Sequence, residues 1–376
     1  MRCVVILCAL AITTPSSISA AGDDDFAGAT VIFARGSSLY RVDPKGKNET
    51  EIASFGSDDK KAKPPVVRNL QTDAAGKTLL ADLDGSWQWM PLDGSAKSLT
   101  TLACGDGPAQ LAEDGTCVLC RAKAGGSQII NLATGKQLTI DQAGARVTGM
   151  GTDRKLVWAD KDGVWSAPPG NRKQAKKVAP EAPLRGFLPS PDGERALGVY
   201  SDEVYVDAHH KKPADILMGF QLDGEGARRK AIKSGVTLEW SHDSQWVLVQ
   251  DGGQACLMHA TGGEYKCWRG YTAASLSSDG KYGLFLGNRD GSHKQTPTKK
   301  PDKKAAKKKA PEPPPDEPAE SEGDDAEPAG DDVAVPPPSG PLSLFRAKLE
   351  GSAFTESPAL VVKIVDGAAV WVPGTP

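Results

Sequence analysis

Ser190-Pro191-Asp192-Gly193-Glu194-Arg195-Ala196-Leu197-Gly198-Val199-Tyr200 reads as a tight turn followed by a strand. Asp and Gly tolerate the positive φ that such turns demand, and a short apolar run bounded by turn residues predicts a buried strand. The unit recurs along the chain. Its turns fall at Ala75-Gly76, Asp114-Gly115, Asp153-Arg154, Asp192-Gly193, Asp243-Ser244 and Asp279-Gly280, spaced by 39, 39, 39, 51 and 36 residues. Apolar runs follow each one, among them Leu79-Leu80, Val118-Leu119, Leu156-Val157-Trp158, Trp246-Val247-Leu248 and Leu284-Phe285. A period of about 40 residues holding several short strands predicts a β-propeller. The 41 glycines fit a hairpin-rich chain, and no long segment carries helical periodicity, so the expected class is all-β.

A second set of glycines runs in step with the first: Gly46, Gly94, Gly135, Gly170, Gly224, Gly262 and Gly351. Each ends an alternating segment such as Ser38-Leu39-Tyr40-Arg41-Val42. Every repeat then holds four strands, A to D, with the Asp-Gly set turning A into B and the second set turning C into D. These C–D turns predict seven four-stranded blades, six being the alternative. The mature chain opens at a B-like strand, Val31-Ile32-Phe33, and Ala359–Ile364 before Asp366-Gly367 repeats the A-strand pattern. That run is expected to complete the first blade and so remove an open sheet edge. Val370-Trp371-Val372 is surplus in this scheme.

Two repeats are longer than the rest, and both lengthen between strands B and C. The first extension covers Asp202 to Ala214; the second is an insert over 292–340. In an up-and-down blade all B–C connections leave on one face, so both decorations are expected there. The insert runs from Lys299-Lys300 through Lys307-Lys308-Lys309 into ten acidic residues between Glu312 and Asp332, interleaved with proline. Such a composition cannot offset the entropy of ordering and predicts disorder. It reads either as a spacer or as an electrostatic arm.

Residues 1–21 read as a signal peptide: Arg2, an apolar stretch Val4 to Ile12, then Ser19-Ala20-Ala21 before a cut at Gly22. The apolar stretch falls short of the ~20 residues that span a bilayer. Residues 22–376 then form one propeller domain interrupted by the insert, exported to a periplasm or beyond, with no membrane insertion, and monomeric. The net charge is −3, and residues 294–332, with eight Lys and eleven Asp/Glu, account for it, so no basic surface for nucleic acid is expected.

Two cysteines carry a geometric expectation. If Thr261-Gly262 is a two-residue turn, Cys256 lies opposite Cys267, within disulfide range, and an exported compartment permits the bond. Cys117 and Cys120 form a C-x-x-C. On a strand, residues three apart point to opposite faces, which suits neither a redox helix nor a zinc pair. They read as structural cysteines, one of them a candidate partner for Cys104. His209-His210 sits beside Lys211-Lys212 and near Asp202 and Glu203, either a solvated loop or a binding-face loop. No nucleophile elbow, phosphate loop or EF-hand pattern occurs, so no catalytic residue, cofactor or metal is expected. The tryptophans, Trp87 and Trp89 included, read as packing between blades.

Ser190-Pro191-Asp192-Gly193-Glu194-Arg195, Trp240-Ser241-His242-Asp243-Ser244 and Ser277-Ser278-Asp279-Gly280-Lys281 resemble the turn motif of WD40-like, TolB-type propeller repeats. Ser38 to Asp43 resembles that family's third strand. The chain has no room for TolB's N-terminal α/β domain, so TolB's partners do not carry over. The resemblance implies a bacterial exported propeller with a binding role. The expected function is a non-enzymatic scaffold that binds a protein or cell-envelope component through its B–C face. The alternative is a propeller lyase or hydrolase with its site at the central channel.

Overall fold

The computed structural model describes residues 26, 28–55, 65–140, 146–147, 155–160, 162–168, 171–179, 184–205, 210–221, 228–232, 237–251, 254–260, 265–278, 280–288, 342–350, 353–354 and 358–374. The signal-like segment, His209 and the insert lie outside them. In chain order, β1 (Thr30–Arg35), β2 (Ser38–Val42) and β3 (Thr50–Ser54) open the first sheet. The second contains β4 (Val67–Thr72), β5 (Thr78–Leu83), β6 (Ser86–Pro91) and β7 (Thr100–Thr101). The third contains β8 (Cys104–Leu111), β9 (Cys117–Ala122), β10 (Ser127–Asn131) and β11 (Gln137–Ile140). In the fourth are β12 (Arg146–Val147), β13 (Leu156–Asp160), β14 (Gly163–Ala167) and β15 (Lys176–Ala179). The fifth holds β16 (Leu184–Pro189), β17 (Arg195–Tyr205), β18 (Lys211–Gln221) and β19 (Arg228–Ile232). Next come β20 (Thr237–Trp240), β21 (Trp246–Asp251), β22 (Gln254–His259) and β23 (Tyr265–Arg269). The last sheet is built from β24 (Tyr271–Leu276), β25 (Tyr282–Asn288), β26 (Leu342–Glu350), β27 (Ala353–Phe354) and β28 (Ala359–Val365), and β29 (Ala369–Val372) returns to the first.

The class is all-β and the arrangement is a β-propeller. Two expectations are corrected. Among the described residues six sheets are four-stranded blades, not seven; the remaining sheet is five-stranded, because β26 bonds both β27 and β28. The run expected to complete the first blade, Ala359–Ile364, instead belongs to β28 and pairs with β26. The strand that joins the first sheet is the one the repeat pattern left over: Val370, Trp371 and Val372 lie opposite Ile32, Val31 and Thr30. The physical reason is burial. All four residues of β29 are buried, as an innermost strand requires, whereas β28 alternates exposed and buried pairs like an outer strand.

The core is divided among the gaps between neighbouring sheets. Ile32, Leu39 and Val370 pack against Leu70, Leu79 and Met90 between the first and second sheets. Leu80 and Trp87 meet Val118 and Ile130 between the second and third. Leu248 and Leu257 meet Leu276 and Phe285 between the sixth and the last, and Leu284 and Leu344 meet Val31, Phe33 and Trp371 between the last and the first. Each fully buried side chain of this size contributes about 1.5–3 kcal/mol, so the sheets are held face to face mainly by apolar packing.

The turn motif is explained by its first residue. The Ser241 N–H donates to the Trp246 carbonyl (2.9 Å), the Ser244 N–H returns to the Ser241 carbonyl (2.9 Å), and the Trp246 N–H donates to Ser241 Oγ (3.0 Å). Ser190 and Ser277 repeat this pattern with Arg195 and Tyr282. Asp73 replaces the serine in the second sheet, its carboxylate accepting from the Lys77 and Thr78 N–H groups at 2.7 and 2.6 Å. The third turn residue after each of these takes positive φ: Gly76, Gly193 and Gly280, with Ser244 in the same conformation at φ 59°.

Candidate functional site

The long repeat of the fifth sheet is a ribbon, which corrects the expected loop. Strands β17 and β18 pair over eleven residues each, with Asp202 opposite Ala214, Glu203 opposite Pro213, Val204 opposite Lys212 and Tyr205 opposite Lys211. Their flanking partners stop earlier: β16 reaches Tyr200 at Leu184, and β19 reaches Asp215 at Ile232. Among the described residues the outer part, 201–205 with 211–214, is therefore two-stranded. His210 and Lys211 are exposed at its tip. The backbone thus brings Asp202, Glu203, Lys211 and Lys212 onto one ribbon. His209 lies outside the described residues.

The other long connection leaves from the equivalent place. Asn288, ending β25, pairs with Leu342, opening β26. Both long segments join the second strand of a sheet to its third.

The cysteines take structural places. Cys256 and Cys267 lie directly opposite each other on β22 and β23 and are disulfide-bonded. Cys104 is bonded to Cys120. Cys117 is a buried thiol in the cluster between the third and fourth sheets, whereas Cys120 faces the cluster between the second and third. The two ends of the C-x-x-C thus lie on opposite faces of β9. The Cys104–Cys120 bond sits at an irregular stretch where 105–108 loop out of register with β9. Trp87 Nε1 holds that loop by donating to the Gly107 carbonyl at 2.8 Å. Trp87, Trp158 and Trp240 are buried between sheets, as packing residues should be.

One polar pair had no signature in the sequence. His242 Nδ1 lies 2.5 Å from Glu113 Oε2, and the two side chains are only 20 % and 16 % exposed. Glu113 belongs to the turn between β8 and β9, His242 to the turn between β20 and β21. A carboxylate at Nδ1 fixes the orientation of an imidazole ring. Among the described residues no group of three or more His, Cys, Asp or Glu side chains could hold a metal ion.

Elsewhere, several titratable groups are shifted by their surroundings. Burial draws the Arg41 guanidinium below its ordinary value; its Nη2 donates to the Leu92 carbonyl at 3.2 Å, while its buried Nε has no hydrogen-bond partner among the described residues. Burial also raises the Tyr271 hydroxyl. Desolvation, then the nearby Arg195, lowers His259, with Asp243 opposing.

No protein-family model matches the chain, and no curated protein matches it. Solved structures similar to it include a putative TolB from Agrobacterium tumefaciens, at 11% identity, covering 90% of each chain with a TM-score of 0.42. TolB from Acinetobacter baumannii is similar at 14% identity over 64% of this chain and 66% of that one, with a TM-score of 0.41. A chain of a nidogen/laminin complex is similar at 11% identity over 92% of this chain and 98% of that one, with a TM-score of 0.42. None of these likenesses assigns a role to this chain.

Proposed function

We propose that the protein is an exported, non-enzymatic binding propeller that recognises a protein or cell-envelope component through the face bearing its B–C connections. The observation that carries this reading is the β17–β18 ribbon. A blade needs strands only as long as its neighbours, and here two strands run on together past theirs. Projecting segments mounted on a rigid scaffold are where binding residues concentrate. The insert over 292–340 leaves the last sheet by the same type of connection, so it shares the proposed face. Export is supported by the residues of 1–21 and by the two disulfides, which persist in oxidising compartments. The ring is proposed to close through β29. That reading is supported by β29 pairing with β1 while Trp371 accepts from Thr72 Oγ1 and donates from its N–H to Ser275 Oγ.

The test is photo-crosslinking in a cell-envelope extract, with the crosslinker at position 203 or 211 of the mature chain. Two deletions accompany it: 202–214 replaced by a two-residue turn, and removal of 292–340. One defined adduct, lost with the ribbon and kept without the insert, supports the reading. No adduct at either position, with unchanged capture by the ribbon deletion, overturns it.

A further inference from the structure

We propose that Glu113 and His242 form a strut across the turn-side mouth of the propeller, coupling the sheet that carries the ribbon to sheets on the far side of the ring. Strand β8, which leads into the Glu113 turn, packs beside β4 and β12; strand β20, which leads into the His242 turn, packs beside β16 and β24. Two sheets separate the pair in one direction and three in the other. A contact between them cannot run along the ring and must cross its centre.

Neighbouring turns are already joined by short backbone links. The Ala74 N–H donates to the Glu113 carbonyl at 3.0 Å, and the Asp243 N–H donates to the Ser278 carbonyl at 3.1 Å. On the other flank, Ser244 Oγ accepts from the Asp192 N–H at 3.0 Å, and Arg195 Nη1 donates to the Ser244 carbonyl at 2.8 Å. Arg195 is the first residue of β17, the ribbon strand. Each link alone couples adjacent sheets. The carboxylate–imidazole contact turns them into a continuous path from the ribbon's root, through 244 and 242, across to 113 and on to 74. Its shielding matters, because an ion pair or charged hydrogen bond removed from water is worth more than one on the surface. When the strut is made, a disturbance at the root of the ribbon is transmitted to the turns of the third and second sheets. When it is broken, coupling decays sheet by sheet along the ring.

This inference does not depend on the identity of any partner, because the free protein tests it. The variants are Glu113→Gln, Glu113→Ala, His242→Gln and the Glu113→Gln/His242→Gln double. Amide hydrogen exchange is read at both turns, 112–116 and 241–246, and at the root of β17. Glu113→Gln keeps the shape of the side chain and so guards against loss of folding, while Glu113→Ala removes every contact. The expected result is reciprocal: each single variant speeds exchange in the opposite turn as well as its own, by a factor between about two and about 150, the range that coupled pairs span. The double variant should be no worse than the worse single. Exchange that rises only around the substituted residue, or effects that multiply in the double variant, overturns the strut.

Discussion

Replacing Gly280 by alanine tests the packing of the turn ring against a built-in control. Gly280 has φ +65°, and a Cβ there would lie 2.2 Å from Trp246 Cδ1 and 3.0 Å from Trp246 Nε1. Gly94, in the turn between β6 and β7, has φ +83° with nothing within 4 Å of an added Cβ. Both substitutions force an L side chain into the left-handed region, which costs about 1–2 kcal/mol. The stiffer unfolded chain offsets roughly 0.4–1 kcal/mol of that. Gly94→Ala should therefore cost about 1 kcal/mol. Gly280→Ala must also push the Trp246 ring aside by more than an ångström. That ring is wedged edge-on against His259, 4.7 Å away, and packs against the cluster of Leu248, Leu257 and Phe285. Overpacking of this kind costs about 1–3 kcal/mol more, so the expected total is roughly 2–4 kcal/mol. Denaturant unfolding of the disulfide-intact protein measures both, and tryptophan emission in the folded state reports the displaced ring. Equal losses for the two variants, or an unchanged tryptophan signal in Gly280→Ala, would mean that the Trp246 ring does not confine position 280.

Ser244 carries the same strain but repays it with its hydroxyl. Ser244→Ala should lose about 1–2 kcal/mol, because it keeps the positive φ and leaves the Asp192 N–H without its acceptor, whereas Ser244→Gly should stay within about 1 kcal/mol of the parent. Equal stability of the two variants in urea titrations would contradict this. Mass mapping after alkylation without reductant should recover Cys256 joined to Cys267 and Cys104 joined to Cys120, with Cys117 alkylated only on unfolding; removing the Cys256–Cys267 bond should cost about 2–3 kcal/mol from loop closure alone. Stability should also fall on mild acidification through His259. Desolvation and Arg195 lower its folded-state pKa below the ordinary 6.5, so the unfolded chain binds more protons in the window between the two. The stabilisation is complete above 6.5 and is lost as pH falls towards the folded value. His259→Gln should flatten that part of the profile, and an unchanged slope would count against it.

Much of the architecture could be read from residue order because the forces behind it are local. A serine or aspartate opening a tight turn, with a glycine three residues on, satisfies its own backbone wherever it occurs, so the phase of the repeats followed from spacing. Hairpin geometry is equally local. A two-residue turn at Thr261-Gly262 makes Cys256 face Cys267. The same phase logic located both long segments between second and third strands. It did not reveal that 202–205 and 211–214 continue the strands as a ribbon, since a polar stretch serves as loop or strand alike.

What the order of residues left open was decided by distant partners. Ala359–Val365 and Ala369–Val372 are both apolar runs beside Asp366-Gly367, and local propensity does not distinguish them. Only pairing with strands far away in sequence, β1 for the one and β26 for the other, assigns the fully buried run to the first sheet and the half-exposed one to the last. The four-residue excursion at 105–108 is similarly set by Cys120 and Trp87, which meet it from other strands. Glu113 and His242 are the extreme case. They are 129 residues apart, in two turns that look like every other turn, and no spacing rule connects them. Their contact exists because the sheets curve around a common centre, and curvature is a property of the packed whole rather than of any segment.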